Sequence, residues 1–326
     1  MNGALLRLAW LGLDPDRVDR LVNELGSIEA VLARVRKGRI EVPKEALKAV
    51  NTPLADLERE LGENGIRFLE REGRWPGVPR WLFVRGDFRV PTPAVAVVGS
   101  RRTSRYGKGI AREIGRRVAG AGWVVISGLA KGIDGDAHRG ALEVGGLTGA
   151  VLGCGIDRWY PAGHSLLGEE ILDSGGWVVS EFPPGVRPDA WRFPTRNRII
   201  VSFSTVVIVV EAAQRSGALI TARLAAEAGK DVMAVPGDLD RPTSVGANFL
   251  IRDGAHPITD LGSLVEELSF LLGPPPSLVL DSSGVAPMPV ESYLDAMNLP
   301  PHQALAELSR MEAEGRIRIV DGVVMN

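Results

Sequence analysis

Hydrophobic and polar positions along this chain follow two patterns, short continuous apolar runs and a helical period. From residue 94 onward, short apolar runs rich in β-branched residues alternate with segments of helical period, such as Ile110–Ala119, Gly135–Val144 and Ala218–Ala228. The apolar runs are Ala94–Val98, Trp123–Ile126, Gly149–Leu152, Trp177–Val179, Val206–Val210 and Val232–Val235. Continuous apolar strands that alternate with helices are typical of a parallel sheet covered on both faces. The pattern predicts a doubly wound, mostly parallel α/β domain over residues 66–272.

In residues 1–65 the hydrophobic positions show only helical periodicity. Asp14-Pro15 supplies an N-cap and a first-turn proline, and helical spacing follows from Val18 to Leu25. Gly26-Ser27 ends that helix and caps the next, Ile28–Val35. A small helical domain is therefore predicted at the start of the chain.

Prolines separate the sheet domain from the last part of the chain. Residues 273–289 open with Gly273-Pro274-Pro275-Pro276 and predict a semi-rigid linker. Residues 290–326 then predict helices at Val290–Met297 and His302–Glu314, followed by a hairpin around Asp321-Gly322. Helix, turn, helix and hairpin in this order predict a small winged-helix domain.

Composition narrows the class of protein. The chain is 45% hydrophobic and 24% charged, as expected of a soluble globular protein. No apolar run approaches the ~20 residues of a membrane span, and the N-terminus lacks a secretory pattern. The single cysteine, Cys154, fits a reducing compartment. We therefore expect a cytoplasmic protein with no membrane contact, no metal site and no cofactor.

The charge excludes attraction of an anion by the molecule as a whole. With 38 basic and 40 acidic residues the formal net charge is −2, so binding to nucleic acid requires a local basic patch. Of the basic residues, 32 are arginine. Arginine suits planar phosphate contacts, but thermal adaptation or genome composition enriches it equally well.

The first candidate patch follows the first apolar run directly. Gly99 and Ser100 precede Arg101 and Arg102, at the point where a strand feeds a helix. Free amides at a helix start and two guanidiniums favour an anion. A solvated helix face explains the later arginines up to Arg117, but not these two, so we predict phosphate binding here.

The second candidate follows the next run. Ser127, Gly128 and Lys131 offer a hydroxyl, a backbone approach and a cation. Asp134 and His138 have the spacing of neighbours on a helix. A bare pair without a third ligand or a nucleophile indicates an N-cap and a packing residue more than an active site.

Later loops add aromatic rings to the cations. Phe193 stands beside Arg196, Asn197 and Arg198 at a predicted helix start, which combines backbone charge with possible base stacking. A charged loop over one buried ring is the alternative. Further along, the predicted rim is completed by Ser216, Gly217, Thr221 and Asn248.

The glycine patterns after the strands argue against a nicotinamide-dependent dehydrogenase. Neither Gly99-Ser100-Arg101 nor Gly153-Cys154-Gly155 forms the G-x-G-x-x-G pattern of a dinucleotide site. Glu211, at a strand end, could be catalytic, could pair with Arg215, or could orient a loop. Cys154 has no resolving cysteine, so a packed thiol is expected.

Taken together, these segments resemble the DprA/Smf family of DNA-processing proteins. The resemblance rests on GSRR, SGLAKGID, SEFPPG, FPTRNRII, EAAQRSGALITA, VPGD and GANFLIRDGA, in this order between residues 66 and 262. It implies a Rossmann-like central domain, a SAM-like helical N-terminal domain and a winged-helix C-terminal domain.

The same resemblance implies a function. The central domain would bind single-stranded DNA largely without sequence preference, protect it, and help to load RecA recombinase during natural transformation. It would form a homodimer and catalyse nothing. The matching positions are Gly99, Ser100, Arg101, Ser127, Gly128, Lys131, Arg196, Asn197, Arg198, Ser216, Gly217 and Thr221.

The sequence leaves two alternative functions open, an enzyme and an adaptor that binds only protein. A Lonely Guy-like nucleotide phosphoribohydrolase shares a related domain, but its proline–glycine–glycine–x–glycine–threonine loop is missing after Glu211. An adaptor that binds only protein is disfavoured by the arginines after the strands. Residues 281–326 carry seven acids against three arginines, so the winged helix is expected to contact protein and not duplex DNA. The central hypothesis is that Arg101, Lys131 and Arg198 converge on one anion-binding groove.

Overall fold

A computed structural model of the chain describes residues 2–70, 77, 79–88, 93–276, 288–289, 308–310, 318–320 and 323–325. Contacts divide the chain into two compact units, Met1–Leu272 and Gly273–Asn326. Among the helices in these ranges, none combines the length and the apolar character that crossing a membrane requires.

Five short helices open the first unit. They are α1 (Gly3–Ala9), α2 (Pro15–Leu25), α3 (Ile28–Arg36), α4 (Lys44–Asn51) and α5 (Leu54–Glu63). The side chain of Asp14 caps α2 and that of Ser27 caps α3, while Gly26 ends α2 with a φ of 80°. Both boundaries were predicted, because the capping residues are those that a helix start and a left-handed helix end require.

A nine-stranded sheet forms the body of this unit. Its strands are β1 (Arg67–Glu70), β2 (Trp81–Gly86), β3 (Ala94–Val98), β4 (Val124–Ser127), β5 (Thr148–Val151), β6 (Trp177–Ser180), β7 (Val206–Val209), β8 (Asp231–Ala234) and β9 (His256–Pro257). The spatial order is β1-β2-β6-β5-β4-β3-β7-β8-β9. Only the β1–β2 and β2–β6 pairs are antiparallel. All six predicted strands are present, while β1, β2 and β9 were not predicted.

Helices cover both faces of the sheet. They are α6 (Arg105–Gly120), α7 (Ile133–Glu143), α8 (Ser165–Asp173), α9 (Arg192–Phe203), α10 (Gly217–Glu227), α11 (Val245–Arg252) and α12 (Leu264–Leu272). Side chains alternate along a strand, so Val95 and Val97 of β3 pack with α6 and α7, whereas Ala96 and Val98 pack with α9 and α10. Two cores on one strand confirm the doubly wound fold.

The N-terminal helices share a third core with the sheet. Leu6 and Leu8 of α1 cluster with Trp81 and Phe83 of β2 and with Leu152 beyond β5. The helical segment therefore packs on the sheet through apolar side chains.

The connectivity fixes where a ligand fits. From β3 the chain moves outward through β4, β5 and β6, and then returns to the other side of β3 to form β7, β8 and β9. Strand order therefore reverses between β3 and β7. In open α/β sheets a crevice opens beyond the carboxyl ends of the strands at this switch point.

The second unit contains three short strands in the described residues. They are β10 (Met288–Pro289), β11 (Arg318–Val320) and β12 (Val323–Met325), in the order β10-β12-β11. Val320 pairs with Val323 in an antiparallel ladder, which agrees with the predicted hairpin strands. The helix at Val290–Met297 and most of that at His302–Glu314 lie outside the described residues, so the winged helix stays a prediction.

Candidate nucleic-acid interface

A cleft of about 720 Å³ opens at the switch point between β3 and β7. We call it the main cleft. Ten of the predicted site residues line it: Gly99, Ser100, Arg101, Arg102, Phe193, Arg196, Asn197, Ser216, Gly217 and Thr221. The loops after β3 and β7 and the starts of α9 and α10 thus meet around one crevice.

A second cleft, of about 470 Å³, shares two arginines with the first. We call it the basic cleft. Five cations line it, against the single carboxylate of Asp136: Arg101, Arg102, Lys108, Lys131 and Arg139. Because Arg101 and Arg102 belong to both clefts, positive charge continues from one to the other.

The turn after β3 is built by its own hydrogen bonds. The Ser100 amide donates to the Glu211 carbonyl at 2.7 Å, and the Ser100 hydroxyl accepts from the Arg102 amide at 3.1 Å. A Cβ on Gly99 would meet Ile133 of α7, so this glycine permits close packing. The guanidiniums of Arg101 and Arg102 stay exposed.

The start of α6 is already occupied by a carboxylate. Glu211, buried at the end of β7, accepts from the Thr103 hydroxyl at 2.6 Å, the Ser104 amide at 2.9 Å and the Ser104 hydroxyl at 2.5 Å. Two of the amides at this helix start are thus bonded within the protein, that of Ser104 to Glu211 and that of Gly107 to the Ser104 hydroxyl, and phosphate binding by the start of α6 stays a prediction. Of the roles open to Glu211, the structure selects that of orienting the loop.

Arg196 links several segments at the floor of the main cleft through its hydrogen bonds. It is 3% exposed, and Nη1 donates to the Gly128 carbonyl at 2.8 Å and to the Val151 carbonyl. Nε donates to Asn197 Oδ1 at 3.0 Å, and Nη2 lies 3.8 Å from Asp134 Oδ2. Burial lowers the pKa of Arg196 to about 10, so it is protonated at neutral pH.

Gly128 and Ser127 face inward and line neither cleft, which corrects their predicted place. A Cβ on Gly128 would strike the Arg196 guanidinium, and the Gly128 amide donates to Asp134 at 3.1 Å. The Ser127 hydroxyl donates to the Val97 carbonyl at 2.6 Å. In this turn only Lys131 is exposed.

His138 is a packing residue, as expected, but the prediction that Asp134 is the N-cap was wrong, because its buried carboxylate accepts from the Gly128 amide and lies beside Arg196. The N-cap position belongs to Gly132. His138 Nδ1 lies 2.7 Å from the Thr148 hydroxyl, and burial lowers the pKa of His138 to about 3. A neutral, enclosed imidazole offers nothing to a ligand.

Arg198 lies outside both clefts, so one part of the convergence hypothesis was wrong. Its guanidinium donates to Glu181 Oε2 at 2.5 Å and to the Gly77 carbonyl at 2.6 Å. Burial raises the pKa of Glu181 to about 7, and Arg198 opposes that shift. Asn248 is likewise engaged elsewhere, because both of its amide atoms bind the backbone of Gly237.

The far wall of the main cleft is the start of α10. The Ser216 hydroxyl accepts from the Ala218 amide at 3.2 Å, which makes Ser216 the predicted N-cap. Nδ2 of Asn197 donates to the Gly217 carbonyl at 3.3 Å and so ties α9 to α10. Space above Gly217 is open, and the positive end of the α10 dipole faces it.

Phe193 gives the main cleft an aromatic surface. The Arg101 guanidinium lies 4.6 Å from its ring centroid, and the Tyr160 ring lies 5.1 Å away at an angle of 32°. Tyr160, Lys108 and Arg139 were not among the residues predicted for the site. The signal available for Tyr160 was Tyr160-Pro161 in the loop after a strand, the same position that marked the other motifs.

The described residues provide neither a metal site nor a reactive thiol. No group of three or more His, Cys, Asp or Glu there could hold a metal ion. Cys154 is buried, and burial raises its pKa to about 11, so its thiol is inert at neutral pH.

Comparison with known proteins places the chain among DNA-processing proteins. Over 344 aligned residues it is 34% identical to the DNA processing protein DprA of Mycobacterium tuberculosis, covering 93% of this chain and 88% of that protein. Over 193 residues it is 46% identical to protein Smf of Escherichia coli, covering 59% of this chain and 52% of that protein. About half of the Escherichia coli protein is thus matched.

Solved structures agree with the fold. The X-ray structure of DprA from Streptococcus pneumoniae matches with a TM-score of 0.66 and 31% identity, over 82% of this chain and 98% of that one. A DprA structure from Helicobacter pylori, described for its single-stranded DNA binding mode, matches with a TM-score of 0.57 and 29% identity. It covers 62% of this chain and 95% of that one. The sequence profile of the DNA recombination-mediator protein A family matches residues 68–269, and the chain belongs to that family.

Proposed function

We propose that this protein binds single-stranded DNA across the main and basic clefts. The observation that carries the proposal is the shared wall of the two clefts, where Arg101 and Arg102 join Phe193 on one side and Lys131 on the other. Cations that follow a backbone beside aromatic faces suit a single strand. The Helicobacter pylori relative, which is described as binding single-stranded DNA, supports the same choice.

Binding without strong sequence preference is part of the proposal. Arginine and lysine contact phosphates, and a phenylalanine ring stacks on any base. Base edges are read by hydrogen bonds, and the polar side chains Arg196 and Asn197 of the cleft are already bonded to the protein. Contacts of this kind position a strand without selecting its sequence.

We further propose that bound DNA is protected and passed to RecA recombinase in natural transformation, in the cytoplasm. Membership in the DNA recombination-mediator protein A family supports this step. A strand held by exposed cations and one ring remains open to a second protein along its outer side.

A homodimer is the assembly that we propose. An apolar surface surrounds a cleft of about 840 Å³ beside β8 and β9, at the end of the sheet. We call it the edge patch. Phe270 is 82% exposed there, and Leu271 is 38% exposed. Exposed apolar side chains clustered at a sheet edge favour a protein interface.

We propose a binding role and no catalysis. A phosphoribohydrolase would need a free carboxylate at the switch point. Glu211 is committed to the α6 start by three hydrogen bonds, and Asp134 is buried beside Arg196. Incubation with nucleoside monophosphates should release no base; release that Glu211→Gln abolishes would contradict the proposal.

The decisive experiment measures binding of a fluorescent oligothymidine as a function of salt. With about four phosphates neutralised, log affinity should fall with log salt at a slope near −3, and Arg101→Ala or Lys131→Ala should each reduce that slope by about 0.7. Arg59→Ala is the matched control, because Arg59 lies in α5 with its side chain 65% exposed.

Arg198→Ala adds a second control inside a family motif. Since Arg198 pairs with buried Glu181, its loss should lower stability while the salt slope stays at the wild-type value. If Arg101→Ala and Lys131→Ala behave like Arg59→Ala, the proposed interface is wrong.

A further inference from the structure

Tyr160 stands at the junction of the two clefts. It lies in the loop between β5 and α8 and is 41% exposed. The next residue, Pro161, lines the basic cleft, while the Tyr160 ring contacts Phe193, which lines the main cleft. A large ring that is half exposed between two cation-lined clefts has a face available to a ligand.

The neighbouring ring is already part of the DNA surface. Phe193 carries the Arg101 guanidinium at 4.6 Å and the Tyr160 ring at 5.1 Å. The angle of 32° between the two rings is closer to stacking than to an edge-on contact. A base on Tyr160 would thus continue an aromatic surface that begins at Phe193.

The basic cleft supplies the charge that such a base needs for its phosphate. Arg139 pairs with Asp136 at 3.3 Å. Within the described part of the chain, no salt bridge joins Arg101, Lys108 or Lys131 to a carboxylate. No carboxylate in the described residues thus neutralises these cations, and a polyanion that follows the cleft would do so.

We infer that Tyr160 is a base-stacking residue of an additional nucleotide subsite, whose phosphate is held by Lys108, Lys131 and Arg139. The strand passes from the main cleft over Phe193 and Tyr160 into the basic cleft. This inference rests on the proposed function, because the strand must first occupy the main cleft.

The simpler alternative is that Tyr160 only supports the ring of Phe193. The two roles differ in what they require of the side chain. Stacking on a base requires an aromatic ring at position 160. Support of the Phe193 ring, which itself stacks on a base in the proposed interface, requires only an apolar side chain of similar size.

The test compares an oligothymidine with an abasic oligomer of the same length, using the full chain. Tyr160→Ala should weaken binding of the oligothymidine by about tenfold, the usual size of one base–aromatic stack. Tyr160→Phe keeps the ring and should bind as wild type does. On the abasic oligomer all three proteins should bind equally.

Two further arms keep the test independent of folding. Tyr160→Leu preserves an apolar side chain against Phe193 and should reproduce the loss of Tyr160→Ala. In the wild-type protein, an oligomer with one 5-iodouracil should cross-link to the peptide that contains Tyr160 on irradiation. Leu166→Ala, at a residue 77% exposed in α8, is the control for surface changes.

The outcomes distinguish failure of the Tyr160 subsite from failure of single-stranded DNA binding itself. An equal loss on thymidine and abasic oligomers, no loss on either, or wild-type binding of the oligothymidine by Tyr160→Leu overturns the subsite while the proposed function stands. Absence of cross-linking at Tyr160 in a wild-type complex that binds tightly also overturns it. If the wild type binds neither oligomer, the proposed function fails and the subsite fails with it.

Discussion

The guanidinium of Arg196 is a structural cation at the floor of a binding cleft. It joins the ends of β4 and β5 through the carbonyls of Gly128 and Val151 and lies beside the buried carboxylate of Asp134. Its positive charge still contributes to the potential of the main cleft, although its hydrogen bonds are spent inside the protein.

Replacing Arg196 by methionine should therefore cost stability before it costs binding. The change leaves two carbonyls without a donor and Asp134 without its cation, and breaking such a buried pair costs about 3 to 5 kcal/mol. Urea unfolding measures this loss. Arg59→Met, at an exposed salt bridge, should change the free energy of unfolding by less than about 1 kcal/mol. Similar values for the two variants would refute the assignment.

His138 makes stability depend on acid pH. The Thr148 hydroxyl donates to the Val125 carbonyl at 2.8 Å, so it accepts from His138, whose proton is on Nδ1. Burial lowers the pKa of His138 to about 3, from 6.5 in the unfolded chain. Between these values the unfolded state binds the extra proton, so the stabilisation present above pH 6.5 is lost as pH falls toward 3.

From pH 7 to pH 4.5 the wild type should lose about 3 kcal/mol more of its free energy of unfolding than His138→Gln. Chemical denaturation across this range measures the difference. His256→Gln is the control, because that side chain is 59% exposed. An identical pH dependence of wild type and His138→Gln would show that His138 is protonated freely in the folded state.

At the scale of elements, β7 and α6 are coupled by Glu211. The strand end places its carboxylate against Thr103 and Ser104, and Gly107 leaves room for it, since a Cβ there would strike the carboxylate. The loop that carries Arg101 and Arg102 is thereby fixed at both ends, by β3 and by the anchored start of α6.

Glu211→Gln tests this coupling through the sign of its effect. Removing a negative charge near an anion site should raise DNA affinity if charge alone matters. If Glu211 anchors the loop, affinity falls, and the free energy of unfolding drops by about 1 to 3 kcal/mol as charged hydrogen bonds are lost. Fluorescence anisotropy and urea unfolding give the two signs. Glu143→Gln, at an exposed pair with Arg112, is the control, and a rise in affinity would contradict anchoring.

Prediction from sequence succeeded where one element decides its own structure. The six central strands follow from apolar runs, and the α2 boundaries follow from Asp14 and Gly26. The strand β1 was missed because its Arg67–Glu70 sequence has no continuous apolar run. The strand β2 was also missed, although its four buried residues form such a run. Predictions of site-residue roles failed where partners distant in sequence determine whether a side chain is buried. Arg196 bonds to Gly128 across 68 positions. Sequence spacing alone cannot distinguish this buried arginine from exposed Arg101.

At the scale of the whole molecule, charge is balanced but unevenly placed. A net charge of −2 gives no long-range pull on DNA, so affinity depends on the few cations around the two clefts. Salt screens the attraction between such a local patch and a phosphate beyond one Debye length, which is ~10 Å at 0.1 M salt. The salt slope therefore reports the number of local contacts and little else.

The edge patch also acts at this scale, because it makes a second copy a suitable partner. A two-fold interface joins the same surface from each protomer, so the surface must complement itself. The residues of the edge patch suit this condition: Leu250, Phe270 and Leu271 supply apolar area, and charges of both signs line the same cleft, among them Arg223, Asp231 and Glu267.

Phe270→Asp should therefore convert the proposed dimer to a monomer. It places two carboxylates, one from each protomer, in the proposed apolar contact. Because the Phe270 side chain is 82% exposed in the single chain, the change should leave the fold intact. Light scattering after size exclusion measures the mass at several concentrations. Leu166→Asp introduces the same charge at an exposed leucine of α8, which packs on β5 and β6 toward the opposite end of the sheet, and it should leave the dimer intact. A dimer that survives Phe270→Asp would place the contact on another surface, since two buried carboxylates without cations cannot be accommodated in an apolar interface.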